Sequence, residues 1–240
     1  MTPIPHTHRR LSVFLLHALI PLGFSSLVGW ACYAVSGVSL GLFFGPILLV
    51  TFLVPSLALA DEDPIARLVA CGAVTLGIAA VWLISANLSL FDLLRCVGVF
   101  GAYVFALGGC AVLLSRVKIG STYAAAIVVV AGFAWLTWPV WLSPWLYGSH
   151  AETIVHWLSA AHPLMAINGV LFERFNFWDR YTLSYQQLTT LNQDVFYTLP
   201  KTVIWMILVH GAFAAAGLAP SSRTLSGKLR QPRIGPAAIQ

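Results

Sequence analysis

The residues of this chain that could do chemistry are gathered in one stretch. Between Gly148 and Pro200 stand Glu152, His156, His162, Glu173, Arg174, Asp179, Arg180, Gln186, Gln187, Asn192, Gln193 and Asp194, interleaved with aromatics. His156 and His162 are six apart, with Pro163 following directly, which is no metal-ligand spacing on a single helix. They read as surface or interfacial histidines. Glu173–Arg174 and Asp179–Arg180 read as local ion pairs of small energetic weight. His210 differs, because it falls near the middle of the last apolar run. Ionisable groups at such depth tend to face a bundle interior or a cavity. His17, in the first apolar run, could pair with it as a second axial ligand for haem, although spacing alone does not bring the two together.

The tryptophans form the second group. At about 100° per residue Trp138, Trp141 and Trp145 share one helical face, with Trp135 on its edge. An aromatic belt at the headgroup level explains them structurally, with indole N–H groups in the wet interface. The functional alternative is a stacking wall for a flat or lipidic ligand. Candidate contacts to a ligand or cargo are therefore Trp138, Trp141, Trp145, His156, His162 and His210. No catalytic residue and no metal ligand is assigned.

The elements that must position these residues are apolar. Of 240 residues, 59% are hydrophobic and 9% charged, and the mean hydropathy is +0.84. Soluble domains run at about 25% charged residues, so an ordinary aqueous fold is excluded. The apolar runs are near the length that crosses a hydrocarbon core of about 30 Å at about 1.5 Å per residue. The expected fold is all-α: one polytopic membrane domain over residues 1–240, with six transmembrane helices in a lipid bilayer. Their expected spans are 11–35, 38–60, 67–88, 93–114, 122–145 and 201–218, with a mobile tail over 220–240. A kink is expected near Pro21, and Pro46 and Pro55 fall inside the second span, tolerable where neighbouring helices cover the disturbed backbone.

Charge sets the orientation. Arg9, Arg10, Arg67, Arg116, Lys118, Arg223, Lys228, Arg230 and Arg233 fall on one side of six spans; Arg95, Arg174, Arg180 and Lys201 fall on the other. The basic excess places both termini in the cytoplasm of a cell whose inner (plasma) membrane holds the chain. The segment 148–200 then faces outward. The net charge of +5 is explained by these flanks and not by nucleic-acid binding. Cys32, Cys71, Cys96 and Cys110 all fall inside expected spans without a CxxC pair, as small packing residues do. The apolar run after Arg10 continues past Val28 without a small-residue cleavage site, unlike a cleaved signal peptide.

Within the outward segment, Ser149-His150-Ala151-Glu152 has the form of a capping box. Two short helices separated by Pro163 follow, neither long enough to span, so they lie in the interface or dip in and return. Tyr181 to Leu191 could add a short amphipathic piece. Asp92 and Arg95 are spaced for an i,i+3 pair at a wet boundary.

No nucleotide-binding loop, zinc-protease helix, nucleophile elbow or dinucleotide fingerprint occurs, so the chain carries no catalytic motif and does not itself hydrolyse nucleotide. The layout resembles the membrane subunit of type-2 ATP-binding-cassette transporters. The stretch Ile154-Val155-His156-Trp157-Leu158-Ser159-Ala160-Ala161-His162-Pro163-Leu164-Met165-Ala166 is similar to that family's amphipathic run after span five, which ends in a residue–Pro–Leu step. The resemblance implies half of a dimeric export pore that moves a lipid, glycan or hydrophobic compound outward, powered by a separate ATPase subunit. The family's longer second cytoplasmic connection, which carries a coupling helix, is replaced here by the short stretch Asp61 to Ala66. The tryptophan-rich end of span five is also similar to the haem-handling proteins of cytochrome c maturation, with Ser143-Pro144-Trp145 where their signature has an acid and a base. A third reading is a non-catalytic subunit that anchors other membrane subunits.

Overall fold

Apolar runs punctuated by good caps give helices throughout. The computed structural model describes residues 6–38, 40–117, 119–146, 150–175 and 199–218, and among these it is all helix and turn. The helices are α1 (His6–Ser36), α2 (Leu40–Leu59), α3 (Pro64–Ser85), α4 (Leu90–Arg116), α5 (Ser121–Leu136), α6 (Trp138–Leu142), α7 (Ala151–Ala161), α8 (Pro163–Phe175) and α9 (Ile204–Leu218), with one 3₁₀ turn at Ser143–Trp145.

Helix starts follow local chemistry. Asp63 caps α3 by accepting from the Ile65 N–H at 3.0 Å, and Pro64 stands in the first turn, where no N–H is needed. Ser89 caps α4 by accepting from the Asp92 N–H at 3.1 Å, and Asn87 turns the chain before it with φ +47°. The Asp92–Arg95 pair forms at 3.8 Å, as its spacing predicts. The capping box does not form as expected. His150 occupies the cap position of α7 and supplies no side-chain bond, which displaces Glu152 from the third helical position; Ser149 lies outside the described residues.

Four helical segments are long and apolar enough to cross a membrane: Leu15–Ser36, Gly41–Leu59, Pro64–Ser85 and Leu90–Arg116. The bent pair α7–α8 makes a fifth if it is counted as one span. Among the described residues six full-length spans are not found. The expected fifth ends early, because α5 stops at Leu136 after 16 residues. The expected sixth, α9, has 15 residues, about 22 Å at 1.5 Å per residue. The side chains exposed on α1 and α2, among them Leu16, Leu19, Leu27 and Phe52, form an apolar exterior suited to lipid.

Helix α4 is the axis. It packs against α2, α3, α5, α8 and α9, and Phe100, Tyr103, Val104 and Ala111 bury along it. Its tightest neighbour is α9, where glycines let the backbones touch. A Cβ on Gly109 would lie 2.6 Å from the Phe213 carbonyl oxygen, and one on Gly217 would overlap Gly109. Arginines lock both ends of this pair. Arg95 donates to the Lys201 carbonyl at 2.9 Å, and Arg116 donates to Gly217 O at 2.8 Å, meeting the orphan carbonyls at the end of α9. Helix α1 lies against α3, where the Ser26 hydroxyl, donating chiefly to Leu22 O at 2.8 Å, also approaches Gly77 O at 3.3 Å. Trp82 donates its indole N–H to Leu42 O at 2.8 Å and packs between Phe43 and Phe100.

Candidate functional site

Two broken helices meet at one histidine. The first break follows α5. The chain turns at Thr137 before resuming as α6 at Trp138, and Pro139 has no N–H to continue the ladder. Phe133 O keeps its bond from the Thr137 N–H at 3.0 Å and also accepts from the Thr137 hydroxyl at 2.7 Å. Ala134 O accepts from the Trp141 indole at 2.8 Å, and Leu136 O from His162 Nε2 at 3.2 Å. The second break is at His162–Pro163, where α7 and α8 meet at 81°. Here proline forces the preceding residue extended, and His162 has φ −86°, ψ 125°.

His162 joins these breaks and its bonding fixes its chemical form. It is the N-cap of α8: its carbonyl accepts from the Ala166 N–H at 2.9 Å, and its Nδ1 accepts from the Met165 N–H at 3.3 Å. An Nδ1 that accepts carries no proton, so Nε2 must carry one to donate to Leu136 O. The ring is thus the neutral Nε2–H tautomer with both nitrogens committed. The sequence expectation of a surface histidine is overturned, since His162 is 1% exposed. Its side chain is drawn inward because it supplies the acceptor that the first turn of α8 needs and the donor that the end of α5 needs.

Aromatic rings extend the site. Trp135 packs against His162 at 5.8 Å between centroids and against His210 of α9 at 6.4 Å, while Trp138 packs edge-on to His162 at 6.4 Å. His210 donates Nδ1–H to Met206 O at 3.0 Å and meets the Tyr103 ring at 5.6 Å. Its Nε2 therefore carries the lone pair. Deeper still, the Thr51 hydroxyl donates to Ile47 O at 2.7 Å, so the Tyr103 hydroxyl donates to Thr51 at 2.8 Å.

The structure thus gathers Trp138, His162 and His210 through Trp135. It separates them from the other expected contacts. Trp141 and Trp145 are exposed; Trp138 and Trp141 share the short helix α6, but that helix ends at Leu142 and Trp145 falls in the 3₁₀ turn beyond it, so the common face expected of the three is not kept. His156 is exposed beside Trp157, which meets Trp205 of α9. His17 Nε2 instead meets Asp61 Oδ2 at 3.0 Å. The expected ion pair Asp179–Arg180, the amphipathic piece 181–191, the turn Asn192-Gln193-Asp194 and the tail 220–240 lie outside the described residues. So do the side chains of Glu173 and Arg174.

Sequence reading missed the polar interior of this site. Asn168 and Ser159 are buried, and among the described residues five buried polar atoms lack a protein partner: Trp135 Nε1, Trp138 Nε1, Ser159 Oγ, and Asn168 Oδ1 and Nδ2. Asn168 is one helical turn from Met165, which packs in a small cluster with Trp138, Leu146, Ala151 and Val155. It is also one turn from Leu171, which belongs to the main core. Trp135 borders both clusters. Of the unpartnered atoms, those of Trp135 and Asn168 belong to residues that adjoin both clusters. Each such atom costs about 1–3 kcal/mol while unpaired. An asparagine inside the apolar run Leu164–Leu171 was the available signal.

Among the described residues no group of three or more His, Cys, Asp or Glu side chains is placed to hold a metal ion. A separate groove of about 360 Å³ between α1, α2 and α3, bounded by Ile20, Phe24, Leu53 and Ile78, is almost wholly apolar and offers no chemistry beyond hydrocarbon contact.

Fold and site together define an all-helical, membrane-embedded protein with unpaired polar atoms buried near its broken helices. No family model, curated protein or solved structure matches the chain.

Proposed function

We propose that this chain is the membrane-spanning permease subunit of a transporter whose nucleotide hydrolysis resides on a separate chain. The observation that carries the reading is the convergence of two discontinuous helices, α5–α6 and α7–α8, on buried polar atoms that no protein group satisfies. Discontinuous helices that present polar groups inside a bundle are how transporters build solute sites. A purely structural subunit has no need to leave such groups open in its interior.

In this reading the membrane is crossed six times. Helix α5 with α6, and α9 with the residues before it, serve as the fifth and sixth crossings, short because each abuts the α7–α8 hairpin. The basic excess places the termini in the cytoplasm and α7–α8 on the outer side. Energy comes from a partner ATPase, since the chain carries no nucleotide-binding motif. The α2–α3 turn, Ala60 to Asp63, is too short for a coupling helix, so that partner docks elsewhere on the cytoplasmic face. Two copies of the chain would complete a pore.

Purification of the full chain in mild detergent, with partners identified by mass spectrometry, tests the reading. Recovery of a P-loop ATPase in fixed stoichiometry, with ATPase activity stimulated by the membrane chain, is the expected result. Recovery only of other membrane subunits would instead support an anchoring role. A Soret band lost in His210→Ala would support haem handling. Either outcome would overturn the transport reading.

A further inference from the structure

Helices α1 and α2 form a wedge. They touch near the turn at Gly37, where a Cβ on Gly45 would lie 2.7 Å from Cys32 Sγ. From there they part, because α1 stays on α3, with Gly29 against Val81 and Ser25 against Gly77. At the far end they are joined again, through His17 Nε2 and Asp61 Oδ2 in the turn after α2, at 3.0 Å. Between these two contacts lies the groove of about 360 Å³. Ile20 and Phe24 make one wall, Leu53 and Leu57 the other, and Val74 and Ile78 the floor. Ile20 and Phe24 are exposed at its lip, so it opens to the surroundings of the bundle.

What the walls can offer limits what the groove can hold. Almost no polar atom lines it, and an ordered water needs several polar partners. Left empty, its wall atoms would forfeit dispersion contacts. Residues 20–28 of α1 line it over about 12 Å at about 1.5 Å per residue, close to half of a hydrocarbon core of about 30 Å. It is thus one leaflet deep, on the side of the α2–α3 turn. A hydrocarbon chain laid there touches three helices, where a chain on the convex exterior touches one, so packing holds it in place. Its polar end would lie at that turn. Among the described residues the turn sets Asp61, Glu62 and Asp63 against His17 and Arg67, whose Nε donates to Asp61 O at 2.7 Å. A majority of carboxylates attracts an ammonium and repels a headgroup of net negative charge.

We propose that the groove between α1, α2 and α3 binds one acyl chain of a zwitterionic phospholipid whose headgroup ends in an ammonium, seated at the α2–α3 turn. The site goes beyond the transport reading and does not rest on it. It is a property of the purified chain and is testable without ATP or a partner.

The test counts what stays bound. The full chain is incubated with an equimolar mixture of phosphatidylethanolamine and phosphatidylglycerol of identical acyl chains, washed in detergent until bulk lipid is gone, and weighed by native mass spectrometry. About one phospholipid per chain is expected to remain, since packing on three helices outlasts the loose contacts of the exterior. Phosphatidylethanolamine should exceed phosphatidylglycerol by about two- to fivefold, the discrimination that exposed charges supply. Leu53→Trp fills the groove and is expected to cut retention at least about fivefold, the low end of the usual overpacking cost. Ile84→Trp, exposed on α3 away from the groove, should retain lipid like the wild type. A second measurement uses the unaltered chain, so the outcome does not hang on whether Leu53→Trp folds. Phosphatidylethanolamine with a diazirine midway along one acyl chain is bound, washed and photolysed. Adducts should concentrate on peptides holding Ile20–Val28 and Leu49–Leu57, not on those holding Leu83 and Ile84. Any of four results would overturn the proposal: no lipid retained by the wild type, equal retention by Leu53→Trp, adducts spread evenly over the exposed helices, or a preference for phosphatidylglycerol. An empty groove would sink this inference alone, and absence of a partner ATPase would leave it untouched.

Discussion

Replacing His162 by alanine tests the reasoning about the junction most directly. The ring makes two bonds, to the Leu136 carbonyl at 3.2 Å and from the Met165 N–H at 3.3 Å. Loss of an N-cap costs about 1 kcal/mol. Leaving the Leu136 carbonyl buried and unpaired costs about 1–3 kcal/mol. Both bonds are longer than the usual 2.9–3.0 Å, which favours the lower half of that range, so the expected loss is about 2–3 kcal/mol. For a chain of this size, 1 kcal/mol moves Tm by about 2–4 °C, which puts His162→Ala about 4–12 °C below the wild type in a thermal unfolding assay in detergent. Two further variants separate the bonds. His162→Asn restores the cap alone, and His162→Gln can reach Leu136 alone; each should recover part of the loss. A His162→Ala protein that unfolds within about 2 °C of the wild type, below the shift for even 1 kcal/mol, would refute the claim that this histidine ties the two breaks together.

Other substitutions probe the frame around the site. Gly217→Leu places a side chain where the Gly109 backbone now lies, so α4 and α9 must part; a loss at or above the usual overpacking cost of about 1–3 kcal/mol is expected in the same assay, and wild-type stability would contradict the close approach. Tyr103→Phe removes one hydrogen bond but leaves the Thr51 hydroxyl bonded to Ile47 O, so the expected loss is about 1 kcal/mol; a much larger loss would mean that Tyr103 holds more than Thr51. Orientation is checked with thiols introduced at Ser184 and Ser226 and an impermeant reagent added to intact cells. Ser184→Cys should react and Ser226→Cys should not, and the reverse pattern would invert the proposed topology.

Much of the frame was legible in the sequence because it depends on local chemistry. The Asp92–Arg95 spacing gives a pair that forms, while the caps Asp63 and Ser89 start α3 and α4 a few residues before the spans expected at 67 and 93. Apolar runs near twenty residues mark four spans. What failed depended on partners distant in sequence. The tryptophans look like one face only while the helix is assumed continuous, but Trp135 lies before the turn at Thr137 and Trp145 beyond the end of α6 at Leu142. His162 looks exposed because neighbouring Pro163 and Ala161 say nothing of Leu136, 26 residues away. Asn168 was overlooked among Ile167, Gly169 and Val170, although an amide in such a run needs a reason to be there.

The contrast between the two halves of the bundle bears on which one moves. Helices α4 and α9 touch backbone to backbone at Gly109 and Gly217 and are clamped at both ends by Arg95 and Arg116, so sliding one past the other would break contacts along the whole interface. The α7–α8 hairpin is held to the end of α5 by long bonds at a single side chain, beside polar atoms that the described residues leave unsatisfied. Local opening draws on the least stable contacts in a fold, and hinges absorb backbone change at the ends of elements. His162–Pro163 is such an end, and Thr137 is the other. Helix α8 is nevertheless anchored on α4, with Ile167 and Leu171 buried in the main core. Because one imidazole bonds both breaks, neither can swing without disturbing the other.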